Sequence, residues 1–187
     1  MKINKPNFWS YKGVSFWSIL LYPISLLYLL IFFFIRTLTI FKTKKKPSIP
    51  VICVGNIYLG GTGKTPLVRE IFNISKSLGK NPALIKKNYE YLYDEIQMLK
   101  KTGKTYACKD RQSGISLSIK DNYDLAILDD GFQDFSIKPN FTILCFNSKQ
   151  MIGNGFVIPS GPLREKLDSI VRADCIIING QKNFEFE

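Results

Sequence analysis

The fold is decided by the stretch Val51-Ile-Cys-Val-Gly-Asn-Ile-Tyr-Leu-Gly-Gly-Thr-Gly-Lys-Thr65. Its first five residues predict a strand, and the glycines near its end predict a tight loop that opens a helix. Such a loop surrounds phosphates with backbone N–H groups, while Lys64 reaches the β- and γ-phosphates and Thr65 ligates Mg²⁺. The stretch therefore predicts a P-loop for ATP and Mg²⁺, although Tyr58 stands where the usual pattern has glycine. The predicted nucleotide-binding residues are Tyr58, Leu59, Gly60, Gly61, Thr62, Gly63, Lys64 and Thr65.

A P-loop needs an acidic partner at the end of a neighbouring strand. The sequence Leu125-Ala-Ile-Leu-Asp-Asp130-Gly supplies one, because four apolar residues place Asp129 and Asp130 at the carboxyl end of a predicted strand. A simple turn after a strand is the alternative interpretation. With a P-loop in the same chain we favour a catalytic magnesium site formed by Asp129, Asp130 and Thr65.

The chain contains no histidine, which removes the commonest general base. Asp94, followed by Glu95, then becomes a candidate base for a substrate hydroxyl. Local sequence alone favours an ordinary acidic residue in the first turn of a helix. Arg164, in the loop segment Pro159-Ser-Gly-Pro-Leu-Arg-Glu165, is a candidate phosphate ligand near a predicted helix start, and a structural turn is equally compatible with its spacing.

Short apolar runs alternate with helical stretches after residue 50, which predicts an α/β fold of the P-loop NTPase type. The sheet is expected to be mostly parallel with helices on both faces. The predicted strands lie near residues 51–55, 83–85, 105–108, 125–128, 141–146 and 175–178, and the predicted helices near 64–78, 91–101 and 164–171.

Residues 13–35 form an uncharged, mostly apolar run of 23 residues, long enough for a membrane helix. The first 46 residues also hold eight of the 26 basic residues, including the cluster 42–46, and no acidic residue, although the formal net charge is +11. This arrangement favours anionic lipid over nucleic acid as a partner. We expect an N-terminal membrane anchor over 1–46 and a kinase domain over 47–187. A helix that spans the bilayer and one embedded in a single leaflet both fit, and a cleaved signal peptide fits least.

Together these segments resemble the tetraacyldisaccharide 4'-kinases of lipid A biosynthesis. The matching segments are the N-terminal helix, Val54-Gly-Asn-Ile-Tyr-Leu-Gly-Gly-Thr-Gly-Lys-Thr-Pro66, Asp94-Glu95, Asp110-Arg111, Asp129-Asp-Gly-Phe-Gln133, Gly153-Asn-Gly155, Pro159-Ser-Gly-Pro-Leu-Arg-Glu165 and the run from Ala173-Asp to Asn179-Gly180. The resemblance implies transfer of the γ-phosphate of ATP to the 4'-hydroxyl of an acylated disaccharide lipid, at the cytoplasmic face of the bacterial inner membrane. It also implies that Asp94 is the catalytic aspartate.

The chain departs from this family at three places. The family's Ser-Arg-Gly-Tyr-Gly-Gly is replaced by Lys86-Lys-Asn-Tyr-Glu-Tyr91, and Asp134 stands where a histidine is expected. The family's second lobe, with a histidine partner for the catalytic aspartate, has no counterpart before Glu187. Three interpretations stay open: a minimal active kinase, one part of a split enzyme whose missing lobe is a separate chain, or a non-catalytic membrane-bound nucleotide-binding relative. A GTPase is weaker, because no Asn-Lys-x-Asp element for guanine is present.

Overall fold

The computed structural model describes residues 5–41 and 46–181, and places a single parallel sheet at the centre of the protein. Its strands are β1 (Val51–Gly55), β2 (Pro82–Lys87), β3 (Thr105–Cys108), β4 (Leu125–Asp129), β5 (Phe141–Asn147) and β6 (Cys175–Asn179). The spatial order is β3-β2-β4-β1-β5-β6, and every neighbouring pair is parallel. The predicted α/β fold and all six predicted strands are confirmed.

Helices cover both faces of the sheet, as expected. They are α1 (Phe16–Phe41), α2 (Lys64–Ser77), α3 (Tyr93–Thr102) and α4 (Arg111–Lys120), with short 3-10 helices at Asn7–Ser10, Glu90–Leu92 and Leu167–Arg172. Phe72 of α2 and Leu99 of α3 pack on one face, against a core that includes Leu84 and Ile127. Ile115 of α4 packs on the other face. Both faces of the sheet are thus apolar, which explains its nearly unbroken apolar strands.

The chain order reverses at β1, which lies between β4 and β5. Val54 pairs with Asp129 on one side and with Ile143 on the other. In an open parallel sheet, the carboxyl ends of the strands at such a switch point form a crevice where ligands bind. The loop that leaves β1 and the aspartates that end β4 therefore meet at the same edge of the sheet.

Helix α1 lies along the folded domain and contacts it over most of its length. The contacting residues recur at helical spacing: Ser18, Tyr22, Ser25, Tyr28, Leu29, Phe32 and Arg36. Ser25 Oγ, for example, donates to Ser160 Oγ at 2.8 Å, and Tyr28 donates its hydroxyl to the carbonyl of Arg164 at 3.0 Å. The opposite face is apolar and exposed. Within the described residues, Phe16–Thr39 is the one helical segment long and apolar enough to cross a membrane.

One predicted helix was wrong and one helix was missed. The segment 164–171 was predicted as a helix, but Lys166 is extended (φ −59°, ψ 151°), and only a 3-10 helix follows at Leu167–Arg172. Arg164 therefore does not lie at a helix N-terminus. Helix α4 was not predicted, although the Asp110 side chain caps it by accepting from the N–H of Ser113. Most of the basic cluster 42–46 lies outside the described residues.

Candidate functional site

The loop between β1 and α2 is organised by a buried side chain, Asn56. Its Nδ2 donates to the carbonyl of Tyr58 at 2.7 Å, to Thr62 Oγ1 at 3.0 Å and to the carbonyl of Gly60 at 3.3 Å. Gln133 donates in turn to the carbonyl of Asn56 at 2.9 Å. One amide thus fixes the path of the loop through contacts within the protein, which is the preorganisation that a phosphate site requires. The sequence analysis did not identify Asn56 as a site residue.

The two halves of the loop make different contacts. The N–H of Leu59 donates to the carbonyl of Pro162 at 2.8 Å, and the side chain of Tyr58 is buried in the core beside Leu163. Among the described residues, the N–H groups of 60–63 and of Lys64 and Thr65 donate to no protein acceptor. The second half of the loop therefore presents unpaired donors to an anion, whereas Leu59 does not and the side chain of Tyr58 points into the core.

Gly63 lies immediately before α2 in the left-handed conformation, with φ 85°. A Cβ at this position would overlap the side-chain amide of Asn179, at the end of β6. Glycine is favoured here mainly by the backbone, because the left-handed region penalises any residue with a Cβ, whereas the exposed side chain of Asn179 can move aside. This geometry turns the chain so that Lys64 and Thr65 begin α2 facing the carboxyl edge of the sheet.

The structure brings the predicted acidic pair to this loop. Asp129 is fully buried, and its Oδ2 lies 3.4 Å from Thr65 Oγ1. Asp130 Oδ1 lies 3.5 Å from Lys64 Nζ, and Asp130 Oδ2 accepts from Arg164 at 3.1 Å. Burial acts to raise the pKa of Asp130, but the charges of Lys64 and Arg164 outweigh it and hold that pKa below its ordinary value. Asp130 is therefore a carboxylate at neutral pH.

These oxygen atoms fit a magnesium ion. Mg²⁺ is usually held by one or two carboxylates together with phosphates and waters, and Thr65, Asp129 and Asp130 offer two carboxylates and a hydroxyl. Asp129 Oδ1 is buried without a hydrogen-bond partner in the described part of the chain, so this oxygen is available to coordinate a metal ion. No group of three or more His, Cys, Asp or Glu side chains suited to a metal occurs within residues 5–41 and 46–181. A metal here would thus depend on the nucleotide for further ligands.

Lys86, which the sequence analysis noted only as a departure, is part of the site. It pairs with Asp129 across β2 and β4, and its Nζ lies 2.5 Å from Asp129 Oδ2 and 2.6 Å from Glu95 Oε2. Desolvation acts to lower the pKa of Lys86, yet the carboxylates of Asp129 and Glu95 raise it above its ordinary value. This buried ammonium compensates the charge of Asp129 and links α3, through Glu95, to the end of β4.

Asp94 lies in the first turn of α3, as predicted, and is exposed. Within the described residues it makes no hydrogen bond or ion pair, and it is Glu95 that reaches the site through Lys86. Asp94 as general base stays a prediction.

Arg111 was matched to the family but given no function. Its guanidinium donates to the carbonyl of Asp130 at 2.5 Å and to Asp134 at 3.0 Å, and so fixes the turn after β4.

Comparison with known proteins agrees with this geometry. The family model described as LpxK, tetraacyldisaccharide-1-P 4'-kinase, matches residues 17–187. A tetraacyldisaccharide 4'-kinase of Pelagibacter ubique is 40% identical over 97% of this chain and 57% of its own length. One of Acidithiobacillus ferrooxidans is 34% identical over 71% of this chain and 46% of its own.

Solved structures give the same result. LpxK from Aquifex aeolicus in complex with ATP superposes with a TM-score of 0.76 and 28% identity, covering 91% of this chain and 61% of that one. A signal recognition particle 54 kDa protein from Aeropyrum pernix, at 12% identity and a TM-score of 0.53, shares the fold alone. The chain spans about 57% of the length of its Pelagibacter relative. On the family match and these similarities, the chain belongs to the tetraacyldisaccharide-1-P 4'-kinase family.

Proposed function

We propose that the chain transfers the γ-phosphate of ATP to the 4'-hydroxyl of a tetraacyldisaccharide 1-phosphate. One observation carries the proposal: the strand ends bring Lys64 and Thr65 within 3.5 Å of Asp130 and Asp129, respectively. The names of the relatives supply the acceptor, and the ATP bound to the Aquifex protein supplies the donor. The site therefore contains both a phosphate cradle and carboxylates for the metal that accompanies the nucleotide.

The cations around Asp130 are proposed to hold the phosphate that is transferred. Lys64 and Arg164 both contact the carboxylate of Asp130 in this structure. A γ-phosphate placed between them would receive two charge-assisted contacts, which strengthen as charge spreads over its oxygens during transfer. Mg²⁺, when held by Thr65, Asp129 and Asp130, would neutralise the phosphate oxygens. The N–H groups of residues 60–65 would hold the remaining phosphates.

Asp94 is proposed to accept the proton of the acceptor hydroxyl. Its exposed position leaves it open to a substrate, and the ion pair between Glu95 and Lys86 fixes the helix turn on which it lies. A base must come within hydrogen-bond reach of the hydroxyl, and catalytic contacts often tighten only in the complex with substrate.

The N-terminal region is proposed to hold the kinase on the cytoplasmic face of the inner membrane, where ATP is available. Residues 1–46 would be the anchor and 47–187 the kinase domain. Because α1 contacts the domain from Ser18 to Arg36, its apolar outer face can enter one leaflet while the helix lies parallel to the membrane surface. A spanning arrangement would require these contacts to be lost. The acylated acceptor would then meet the kinase within the same membrane surface.

A second candidate function is a non-catalytic or split nucleotide-binding relative that needs a partner lobe. One observation favours it: Asp94 has no partner side chain in the described part of the molecule. Such a protein would bind ATP with Mg²⁺ and would not transfer phosphate alone.

The deciding experiment measures transfer of labelled γ-phosphate from ATP to a tetraacyldisaccharide 1-phosphate in detergent micelles. The wild type is compared with Lys64→Ala, with Asp94→Ala and with Lys80→Ala, which changes an exposed lysine on the turn after α2. Transfer that is lost in the first two variants and kept in the third supports the kinase. Magnesium-dependent ATP binding without transfer by the wild type would favour the second candidate.

A further inference from the structure

A cavity of about 350 Å³ opens between α1 and the 3-10 helix Leu167–Arg172. One wall comes from the α1 residues Phe32, Phe33 and Arg36, and the other from the residues that follow Arg164. Helix α1 is the element proposed above to enter the membrane. The cavity thus lies between this helix and the segment next to Arg164, and the proposed reaction does not use it.

The outer part of the cavity is apolar and exposed. Phe33 has 60% and Val171 84% of its surface accessible, although both are large apolar side chains. Exposed apolar side chains at the mouth of a pocket mark a place where an apolar ligand or a membrane covers them. Since Phe33 belongs to α1, the mouth of the cavity opens on the side that the membrane would cover.

The lining of the cavity has a small excess of positive charge, contributed by a half-buried Arg36 and an exposed Lys166. Glu165 is buried and already accepts from Arg172 at 2.5 Å and from Gln133 at 3.1 Å. The remaining charged side chains in the lining are two cations, Arg36 and Lys166, and one exposed carboxylate, Asp168.

Arg36 lies 5.1 Å from the ring of Phe135 and, within the described residues, pairs with no carboxylate. Arg36 and Lys166 are therefore the side chains of the lining that offer donors to an anion.

We propose that this cavity binds the phosphate group of an acidic membrane phospholipid. Arg36 and Lys166 would contact the phosphate, and the first chain carbons would lie against Phe33 and Val171. The volume lies at the lower end of the range for small-ligand sites, so it suits a headgroup and not a tetraacylated disaccharide. The inference rests on the proposed membrane placement of α1, and not on phosphate transfer.

The test uses the full chain with Trp17→Phe and Phe33→Trp, so that the exposed tryptophan lies at the cavity and the remaining one, Trp9, is buried. The protein is bound to phosphatidylcholine vesicles. Brominated acyl chains quench tryptophan on contact. We expect brominated phosphatidate to quench the reporter several-fold more than brominated phosphatidylcholine at the same mole fraction. Arg36→Gln combined with Lys166→Gln should abolish this excess. The matched pair Lys42→Gln and Lys44→Gln removes two charges from the neighbouring basic cluster and should keep most of it.

The outcomes separate the sources of the phosphate. Equal losses in the two double variants would indicate diffuse attraction and overturn the proposal, as would equal quenching by both lipids. If added inorganic phosphate relieves the quenching, the cavity binds free phosphate and the proposal is overturned. If only the acylated disaccharide 1-phosphate relieves it, the cavity binds the acceptor substrate and the proposal is likewise overturned. If phosphatidate causes no excess quenching while phosphate transfer is intact, only the proposed lipid site is rejected. If the protein binds no vesicles at all, both the lipid site and the membrane placement of α1 are rejected.

Discussion

Single side chains determine the shape of the phosphate site. Asn56 binds three groups of the loop, and Gly63 adopts the left-handed turn that starts α2. The P-loop lysine and the strand-end aspartates could be predicted from the sequence, because their spacing along the chain is characteristic. Asn56, Lys86 and Arg111 were missed as site residues because their importance comes from partners far away in sequence. Lys86 and Asp129, for example, are 43 residues apart.

Replacement of Gly63 should weaken the site through its backbone. Gly63→Ala places a Cβ in the left-handed region and against Asn179, so we expect a loss of about 1–2 kcal/mol in the free energy of unfolding and weaker ATP binding. Urea denaturation and nucleotide titration measure the two effects. The stability control is Gly61→Ala, whose added Cβ meets no atom within 4 Å. Equal stability of the two variants would contradict the requirement for glycine at 63.

Removal of the Lys86 charge should lower the free energy of unfolding more than the Gly63 substitution does. Lys86→Met leaves the fully buried carboxylate of Asp129 without a compensating charge, which should lower the free energy of unfolding by about 3–5 kcal/mol. Glu95→Gln should cost about 1 kcal/mol or less, because the Glu95 side chain is 47% exposed.

Urea denaturation again provides the measurement. The double variant Lys86→Met with Asp129→Leu should recover most of the loss, because it leaves no unpaired buried charge. If Lys86→Met lowered the free energy of unfolding no more than Glu95→Gln does, the charge-compensating function of Lys86 would be refuted.

At the scale of elements, periodicity identified the strands better than the helices. The four inner strands are mostly buried apolar runs, and a parallel sheet covered on both faces requires that pattern, whereas the edge strands β3 and β6 are more exposed. Helix α4 was missed because its sequence, Arg-Gln-Ser-Gly-Ile-Ser-Leu-Ser-Ile-Lys, contains one glycine and three serines and has no clear apolar stripe. The opposite error at 164–171 arose because tertiary contacts hold Arg164 and Glu165 in a non-helical bend beside the P-loop.

Helix α1 should bind the membrane while it stays packed against the domain. Ser25 Oγ and Ser160 Oγ are 2.8 Å apart and buried, so Ser25→Cys with Ser160→Cys is expected to form a disulfide that locks α1 in place. Vesicle flotation should show equal membrane binding by the oxidised and reduced forms, because the outer face of α1 is unchanged. A helix that swings out to span the bilayer would instead lose binding on oxidation.

At the scale of the whole molecule, ATP binding should increase the free energy of unfolding. ATP with Mg²⁺ at about one hundred times its Kd adds about 2.7 kcal/mol to a protein that binds it only when folded. For a chain of this size that corresponds to a rise in Tm of about 5–10 °C. Differential scanning fluorimetry should show this rise for the wild type and for Lys80→Ala, and a much smaller one for Lys64→Ala. This readout is independent of phosphate transfer, and an unchanged Tm in the wild type would argue against nucleotide binding.

The hydrogen bond from Tyr28 to the carbonyl of Arg164 joins α1 to the residue that contacts Asp130. With α1 lying in a leaflet, this link sets the height of the phosphate site above the lipid surface and its tilt toward that surface. The protein then keeps only lateral translation and rotation about the membrane normal. An acceptor lipid diffusing in the same plane would meet the site at a constant depth, so its acyl chains would not have to leave the bilayer before the sugar hydroxyl reaches the nucleotide.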